Sequence, residues 1–313
     1  MRYRPLGTTG LRVSLLGLGS GGRSRLGQAY GSGQAEAGAV VRRALALGIN
    51  IIDTAPAYDR SEELLGGALD GVDRDSYVLC TKFQPVSGGE LKGAAALRQS
   101  LERSLTRLRT DRVEVLYLHG VRPETFTPVV DRFLPELQRA KRDGLIRHIG
   151  MTENFSVDHE HDALRAALQT GGFEVVMVGH NMMSPSPAER VFPLAAAAGA
   201  GVVIMCAVRG ALLNPVRVRE LVREWKDAGL LPERAVPDDD PLRAVLVPLA
   251  DDIASTAYRF AADDAAVSTV LTGTGNPAHL ERNVAAVGAG PLPAAVVQRL
   301  YEVFGQVFRA AAY

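Results

Sequence analysis

Eight short, nearly continuous apolar runs recur along the chain, and segments with helical periodicity lie between them. Runs of this kind are expected for strands that are covered on both faces. Alternating strands and helices predict a parallel sheet built from right-handed βαβ units. Because there are eight such units, the sequence predicts an α/β fold, a closed (β/α)8 TIM barrel rather than an open sheet. The predicted strands are Val13–Leu18, Asn50–Ile52, Tyr77–Thr81, Val113–Leu118, Arg147–Gly150, Val175–Val178, Val202–Cys206 and Val267–Leu271.

The predicted helices follow from apolar residues spaced three or four apart and from the glycines that come after them. Leu97, Leu101, Leu105 and Leu108, for example, form one apolar stripe. A further helix is predicted to begin at Ser61. The main predicted helices are Ala35–Ala46, Leu91–Leu108, Val129–Asp143, Val157–Leu168, Pro187–Ala198 and Pro277–Val287.

Two parts of the chain do not fit this repeat. Residues 3–12 contain a Gly-rich turn and predict a small β-hairpin before the first barrel strand. Late in the chain, Asn214–Gly229 and Pro293–Ala312 predict extra helices, with an acidic, Pro-rich loop at residues 237–241 between them. No linker rich in Gly, Ser and Pro divides the chain, so residues 1–313 are predicted to form a single domain.

Composition narrows the classes of partner and the compartment. The formal net charge is +0, so no overall field favours nucleic acid or an anionic membrane. Cys80 and Cys206 both lie in apolar runs, which predicts buried thiols in a reducing compartment and hence a cytoplasmic protein. No apolar segment has the form of a secretion signal or approaches the ~18 residues of a membrane span.

Polar side chains follow three consecutive predicted strands, at the end where a barrel of this type carries its chemistry. Asp53 ends the second strand and Tyr58 lies in its loop, while Lys82 and His119 end the third and fourth strands. Taken singly, each is more often a turn former, a packing residue, a solvated charge or a hydrogen-bonded structural group. Their convergence on one rim favours a catalytic site.

This set of groups suits proton transfer to an oxygen. The phenol of Tyr58 has an ordinary pKa of ~10, which a nearby cation lowers by stabilising the phenolate. Lys82 can supply that cation, and Asp53 can keep Lys82 charged and oriented. A neutral His119 can donate an N–H to a carbonyl oxygen. Because the set holds no obvious nucleophile, a hydride from a nicotinamide is the natural reactant.

Five stretches resemble the aldo-keto reductase superfamily, in family order and over almost the whole chain. The resemblance implies an NAD(P)-dependent carbonyl reductase or alcohol dehydrogenase and places its catalytic tetrad on Asp53, Tyr58, Lys82 and His119, with Tyr58 as general acid. It also implies that the N-terminal hairpin plugs the bottom of the barrel. The matching stretches are "GINIIDTAPAYDRSEELLG", "YVLCTKF", "LRQSLERSLTRLRTDRVEVLYLHG", "GLIRHIGMTEN" and "TVLTGTGNPAHLERNV".

The resemblance also assigns residues to the cofactor. A glycine loop leading into a helix N-terminus suits phosphate on physical grounds as well. Arg282 is the firmest cation at the adenosine end, which favours NADP(H) while leaving NAD(H) possible. Where the family commonly has a Gln, a nearby Tyr and a stacking aromatic residue, this chain has Met177, His180-Asn181 and Cys206. The residues assigned to cofactor binding are Ser20, Asp53, Thr152, Glu153, Arg209, Gly273, Thr274, Gly275, Asn276, Arg282 and Asn283.

Two alternatives stay open at this stage. The altered nicotinamide pocket is compatible with a catalytically weak regulatory or sensor protein that binds the cofactor on the same fold. A Schiff-base lyase that uses Lys82 is the other, although Asp53 and Tyr58 disfavour it. The substrate is expected to be a small carbonyl or alcohol, selected by the loops Gln28–Gln34, Val121–Thr127 and Asn214–Asp240. The sequence leaves the oligomeric state undetermined.

Overall fold

The computed structural model describes residues 1–247, 249, 252–305 and 307. Eight parallel strands form a closed barrel in which each strand pairs with the next along the chain. The last strand closes the barrel against the first, with Val270 aligned with Leu16. These barrel strands are β3 (Leu16–Gly19), β4 (Ile51–Asp53), β5 (Val78–Phe83), β8 (Val113–Val121), β9 (Ile146–Glu153), β10 (Val175–Gly179), β11 (Gly201–Met205) and β12 (Val267–Thr272). The predicted (β/α)8 barrel is confirmed.

Two antiparallel hairpins complete the set of strands in the described part of the chain. One joins β1 (Tyr3–Pro5) to β2 (Arg12–Ser14), and the other joins β6 (Val86–Ser87) to β7 (Glu90–Leu91). The first is the predicted N-terminal hairpin. Its turn residue Leu6 is fully buried in one cluster with inward-facing barrel residues such as Ile51 and Val115. The hairpin therefore packs its apolar turn into the barrel interior.

Helices surround the barrel, and their apolar faces explain their positions. In the third helix the predicted leucine stripe is buried, from Leu97 through Leu108. The late helices share a second apolar cluster, in which the rings of Trp225 and Phe304 lie 6.2 Å apart. The helices are α1 (Gln34–Ala46), α2 (Ser61–Ala68), α3 (Ala95–Leu108), α4 (Phe126–Arg142), α5 (Asp162–Thr170), α6 (Pro187–Arg190), α7 (Phe192–Ala198), α8 (Pro215–Asp227), α9 (Pro241–Leu246), α10 (Ile253–Ala261), α11 (Pro277–Gly288) and α12 (Ala294–Phe304).

Two predicted strands differ from the structure. The apolar run Val13–Leu18 is divided between hairpin strand β2 and barrel strand β3, because Leu15 lies outside both. The run Val202–Cys206 extends one residue too far, since Cys206 leaves the strand with a left-handed φ of 63°. In both cases the apolar sequence continues past the point where the backbone changes direction.

Three predicted helices also differ. The prediction from Leu91 is wrong at its start, since that residue pairs in β7 and the helix begins at Ala95. Helix α5 begins at Asp162 rather than Val157, because the carboxylate of Asp158 accepts the N–H groups of residues 162 and 163. The segment 187–198 forms two helices, α6 and α7, and α9 and α10 were not predicted.

Some features concern only the part of the chain that is described. The predicted helix Pro293–Ala312 is α12 up to Phe304, and residues 306 and 308–312 of that prediction lie outside the described residues. Within the described residues, no helix is both long and apolar enough to cross a membrane.

Candidate active site

A large cleft opens at the carboxyl ends of the barrel strands, with a volume of about 1630 Å³. It is lined by the loops that follow most of the barrel strands. All four predicted catalytic side chains line this one cleft: Asp53, Tyr58, Lys82 and His119. The structure therefore brings together the acid, the phenol, the amine and the imidazole that the sequence places at separate strand ends.

Lys82 and Asp53 form a buried ion pair at the base of the cleft. The Nζ atom of Lys82 donates to Oδ2 of Asp53 at 2.5 Å and to the backbone oxygen of Thr54 at 2.8 Å. The two residues are only 1% and 4% exposed. Burial alone lowers the pKa of Lys82, but the Asp53 carboxylate and the Tyr58 phenol raise it above its ordinary value. Lys82 is therefore held in its charged form.

Tyr58 lies directly over this ion pair. The ammonium of Lys82 is 4.9 Å from the centre of its ring. The sequence predicted that Lys82 lowers the pKa of Tyr58, but the net shift is in the other direction. Burial raises the pKa of Tyr58, Lys82 lowers it, and the result is a pKa above the ordinary value. Burial outweighs the cation, so the phenol is protonated at neutral pH.

His119 faces Tyr58 edge to face, with ring centres 5.9 Å apart and an interplanar angle of 89°. Burial, with a smaller effect from the charge of Lys82, lowers the pKa of His119 to about 3. The imidazole is therefore neutral at physiological pH and has an N–H to donate. This protonation state is the one that the sequence argument required for polarising a carbonyl.

The predicted phosphate-binding residues form one wall of the cleft. Asn276 caps the N-terminus of α11, since its side-chain oxygen accepts the N–H of Ala278 at 2.9 Å. The helix therefore directs its positive end into the cleft beside the glycine loop. Asn283 donates to the hydroxyl of Thr272 at 2.9 Å. The residues of this wall are Gly273, Thr274, Gly275, Asn276, Arg282 and Asn283.

Ser20 is the one predicted cofactor residue that does not line the cleft. It lies at the end of β3, fully buried between Gly19 and Gly21, which do line it. Among the described residues, neither Ser20 Oγ nor Asp53 Oδ1 has a hydrogen-bond partner. Buried polar atoms are normally satisfied, and Asp53 lines the cleft, so its Oδ1 atom marks a place where a bound polar group fits.

The side chains of Thr152 and Glu153 are already engaged by the protein. Thr152 accepts the backbone N–H of Gly120 at 2.8 Å, which fixes the end of β8 beside His119. The carboxylate of Glu153 contacts Nδ1 of His161 at 2.7 Å and accepts the N–H of Gly179 at 2.8 Å. A direct side-chain role for Glu153 toward a nicotinamide is therefore disfavoured, because each oxygen already has a partner.

His161 extends this buried arrangement, since its Nε2 atom contacts the hydroxyl of Ser186 at 2.9 Å. Nothing in the sequence pattern paired Glu153 with His161 across eight residues, and His161 itself has a left-handed φ of 59°. The hydrogen-bonded side chains of Glu153, His161 and Ser186 are all buried. They therefore support the wall of the cleft from the side that faces away from it.

The three departures from the family pattern have different surroundings. Met177 and Cys206 line the cleft, whereas His180 is buried outside it and stacks on Phe260 with ring centres 5.0 Å apart. Phe155 also lines the cleft, and the guanidinium of Arg209 lies 4.9 Å from its ring centre. An aromatic ring therefore lines the cleft beside Gly179 at the end of β10, supplied after β9 rather than after β11.

Several lining residues were not assigned from the sequence. The loop after β3 contributes Arg23, Ser24 and Gly27, and the segments before and in α10 contribute Asp252 and Ser255. The only sequence signal for the first group was the glycine-rich run after the first strand. No periodic pattern marks residues that come together only when the barrel closes.

The profile of the Aldo/keto reductase family matches residues 16–304. The chain belongs to the aldo/keto reductase family. Members of this family use nicotinamide cofactors. The holo form of aldo-keto reductase AKR11C1 from Bacillus halodurans is similar in structure, with a TM-score of 0.74 and 26% sequence identity. That similarity covers 100% of this chain and 97% of the other.

Relatives of this aldo/keto reductase carry the names of oxidoreductases. L-Galactose dehydrogenase of Arabidopsis thaliana is 38% identical over 157 residues, which are 49% of this chain and 48% of that protein. The alignment thus spans about half the length of this relative. The NADH-specific methylglyoxal reductase of Escherichia coli (strain K12) is 29% identical over 71% of this chain and 72% of that protein. These relatives support an oxidoreductase.

The buried ion pair predicts strong coupling between Lys82 and Asp53 in the cofactor-free protein. Lys82→Met leaves a buried carboxylate without its partner, which costs ~3–5 kcal/mol of unfolding free energy. Adding Asp53→Asn should recover at least half of that loss and none of the activity. Urea denaturation of the four proteins measures the coupling energy. The exposed pair Arg165–Asp162 is the control, with coupling below ~1 kcal/mol. Additive effects of Lys82→Met and Asp53→Asn would exclude the ion pair.

The lowered pKa of His119 predicts that its ring stays neutral over the whole working range of pH. Ring ¹⁵N and ¹H shifts of His119, assigned by their absence in His119→Asn, should not titrate between pH 8 and pH 5. Protonation is expected only as the pH approaches about 3. A midpoint near the ordinary histidine value of ~6.5 would contradict the neutral donor.

Proposed function

We propose that this aldo/keto reductase transfers a hydride between an NAD(P) nicotinamide and the carbonyl carbon of an aldehyde, a ketone or a sugar, or runs the reverse reaction on the alcohol. The observation that carries the proposal is the buried Lys82–Asp53 pair beneath Tyr58, with a neutral His119 facing the same ring. The groups face one cleft, and the ion pair with Asp53 keeps the amine of Lys82 protonated, which disfavours its use as a nucleophile.

Each of the four side chains has a distinct role in carbonyl reduction. Tyr58 donates its proton to the carbonyl oxygen. Because burial raises its pKa, the phenol is still protonated when the substrate binds. Lys82 stabilises the phenolate that remains, since its ammonium lies under the ring. Asp53 keeps Lys82 charged and fixed. His119 donates an N–H to the same carbonyl oxygen and orients it.

The residues of the cleft fit a dinucleotide. The Oδ1 atom of Asp53, which is buried without a hydrogen-bond partner, and the glycine loop with the capped N-terminus of α11 belong to the same cleft. When bound there, the nicotinamide supplies the hydride. Gly273–Asn276 hold the diphosphate through backbone N–H groups, and Arg282 lies where an adenosine phosphate is expected. Thr152 also fixes Gly120, and its side chain lines the cleft where the cofactor is proposed to bind.

The residues near Arg282 bear on the choice between NADP(H) and NAD(H), which the sequence left open. Arg282 favours NADP(H), but the carboxylate of Asp252 lines the same cleft and is lowered in pKa by hydrogen bonds from Ser255, with a smaller effect from Arg282. An acid in this position opposes a second phosphate and suits ribose hydroxyls. We propose NADP(H) as the preferred cofactor and NAD(H) as a competent one.

Sugars and small aldehydes are the proposed substrate class. The named relatives act on L-galactose in one case and on methylglyoxal in the other. A catalytically weak, cofactor-binding protein is the alternative, and it is favoured by Cys206 standing where the family has a stacking aromatic residue. Turnover of simple aldehydes with NADPH or NADH distinguishes the two functions.

Tyr58→Phe should lower carbonyl reduction by ~10²-fold or more, because it removes the proton donor and keeps the ring. Cofactor affinity should stay within a few-fold of the wild-type value. Single-turnover reduction of an aromatic aldehyde and NADPH fluorescence titration measure the two quantities. Turnover that survives within a few-fold in Tyr58→Phe would remove Tyr58 from the role of general acid. No turnover in the wild-type protein, with tight cofactor binding, would favour the regulatory alternative.

Arg282→Ala should weaken NADPH binding by ~1–3 kcal/mol and NADH binding much less, because the lost contact is to the additional phosphate. Fluorescence titration with both nucleotides gives the two dissociation constants. The control is Arg43→Ala, which removes an exposed cation that pairs with the neighbouring Glu281. Equal losses for the two nucleotides would show that Arg282 does not contact that phosphate.

A further inference from the structure

The loop between β3 and α1, residues 20–33, lies directly against the proposed proton donor. A Cβ atom on Gly21 would lie 2.6 Å from Cε2 and 2.7 Å from Cζ of Tyr58. Real Cβ atoms do not approach other atoms this closely, so the backbone of Gly21 forms the surface on which the phenol ring rests. Any side chain at position 21 must displace the ring.

The same loop also holds the residues that follow Tyr58. Arg25 forms an ion pair with Asp59, the next residue after the phenol. Gln28 accepts the backbone N–H of Arg60 at 3.1 Å and donates to the hydroxyl of Ser61 at 2.9 Å. Two side chains of the β3–α1 loop, Arg25 and Gln28, thus contact the three residues that follow Tyr58.

Both sides of this junction adopt unusual backbone conformations. Asp59 has a φ of 51°, and its partner Arg25 has a φ of 46°, followed by 57° at Leu26. Residues other than glycine rarely occupy this left-handed region, and they do so where the surrounding contacts enforce it. The strain is concentrated beside the group that is proposed to donate the proton.

The middle of the β3–α1 loop, at Ser24 and Gly27, packs against the proposed phosphate loop. A Cβ atom on Gly275 would lie 2.5 Å from the Cα of Gly27 and 3.1 Å from the Oγ of Ser24. The two loops therefore touch backbone to backbone. This contact gives the β3–α1 loop a second support at Gly27, in addition to its contacts with the Tyr58 loop.

We propose that the β3–α1 loop is the positioning element for Tyr58, with Gly21 supporting the face of its ring and Arg25 fixing the backbone that follows through Asp59. Gly21 and Arg25 are positioning residues, because they act on the reaction only through Tyr58. The inference rests on the proposed role of Tyr58 as general acid. It adds that the placement of this acid is decided by a loop outside the four catalytic residues.

The first test compares Gly21→Ala with the control Gly93→Ala, whose added Cβ would meet nothing within 4 Å. The protein is labelled with [¹³C]tyrosine, and the Tyr58 resonance is assigned by its absence in Tyr58→Phe. Gly21→Ala should shift that resonance and lower the single-turnover rate of aldehyde reduction by ~10-fold or more, because misplacing a donor by ~1 Å has effects of that size or larger. Its NADPH dissociation constant should change less than ~3-fold. Gly93→Ala should match the wild type in all three measurements.

The second test uses Arg25, whose replacement is far less disruptive to folding. Arg25→Ala should move the same tyrosine resonance and lower the single-turnover rate by ~2- to 5-fold, as expected for an exposed ion pair. Arg25→Lys should restore much of the rate. The control is Arg165→Ala, which removes a different exposed ion pair, with Asp162. If Gly21→Ala does not fold, the Arg25 variants decide alone.

A wild-type Tyr58 resonance together with a wild-type rate in both Gly21→Ala and Arg25→Ala would overturn the positioning role. Tyr58→Phe distinguishes failure of this positioning role from failure of the proposed function. If Tyr58→Phe kept the wild-type rate, Tyr58 would not be the acid, while the resonance shift in Gly21→Ala would still report the contact between loop and ring. If Tyr58→Phe lost activity and the loop variants changed nothing, only the positioning inference would fail.

Discussion

Lys82 and Asp53 form an ion pair that is almost completely removed from water, and neither charge is stable there without the other. Burying a charge costs several kcal/mol, which only a close opposite charge and further hydrogen bonds offset. Parallel pairing provides the geometry, since Asp53 on β4 is aligned with Cys80 on β5 and Lys82 comes two residues later. In proteins generally, replacing a buried ion pair by apolar residues of similar volume is often neutral or stabilising. An ion pair at this place is therefore better explained by chemistry than by stability.

The electrostatics of the whole cleft mouth depend on this pair. Because Asp53 keeps Lys82 charged, a single positive centre lies under the ring of Tyr58 and also helps to keep His119 neutral. Lys82 can thereby stabilise the phenolate form of Tyr58, and the neutral ring of His119 keeps an N–H to donate. Loss of the Asp53 carboxylate would leave burial free to discharge Lys82, and both neighbouring groups would lose the charge that sets their protonation states.

The meeting of Asp53, Tyr58, Lys82 and His119 in one cleft was predictable from sequence, because parallel barrel strands all deliver their last residues to the same rim. The net pKa of Tyr58 was not, since its direction depends on how far the ring is buried, and burial is a property of the folded surroundings. The family resemblance assigned Glu153, the last residue of β9, to the cofactor, yet its carboxylate is occupied by His161 and Gly179. A side chain's position on a strand predicts where it lies, whereas its partners depend on residues from other strands and loops.

The sequence by itself determined the barrel, because the period of its apolar residues repeats locally and needs no knowledge of distant parts of the chain. It also determined which residue types reach the cleft at the ends of β4, β5 and β8. Tertiary structure decided that residues 13–18 divide between a hairpin strand and a barrel strand, and that Cys206 turns out of β11. It decided as well that Gly21 supports Tyr58. These outcomes depend on close packing and desolvation between segments far apart in sequence, and a local pattern carries no information about either.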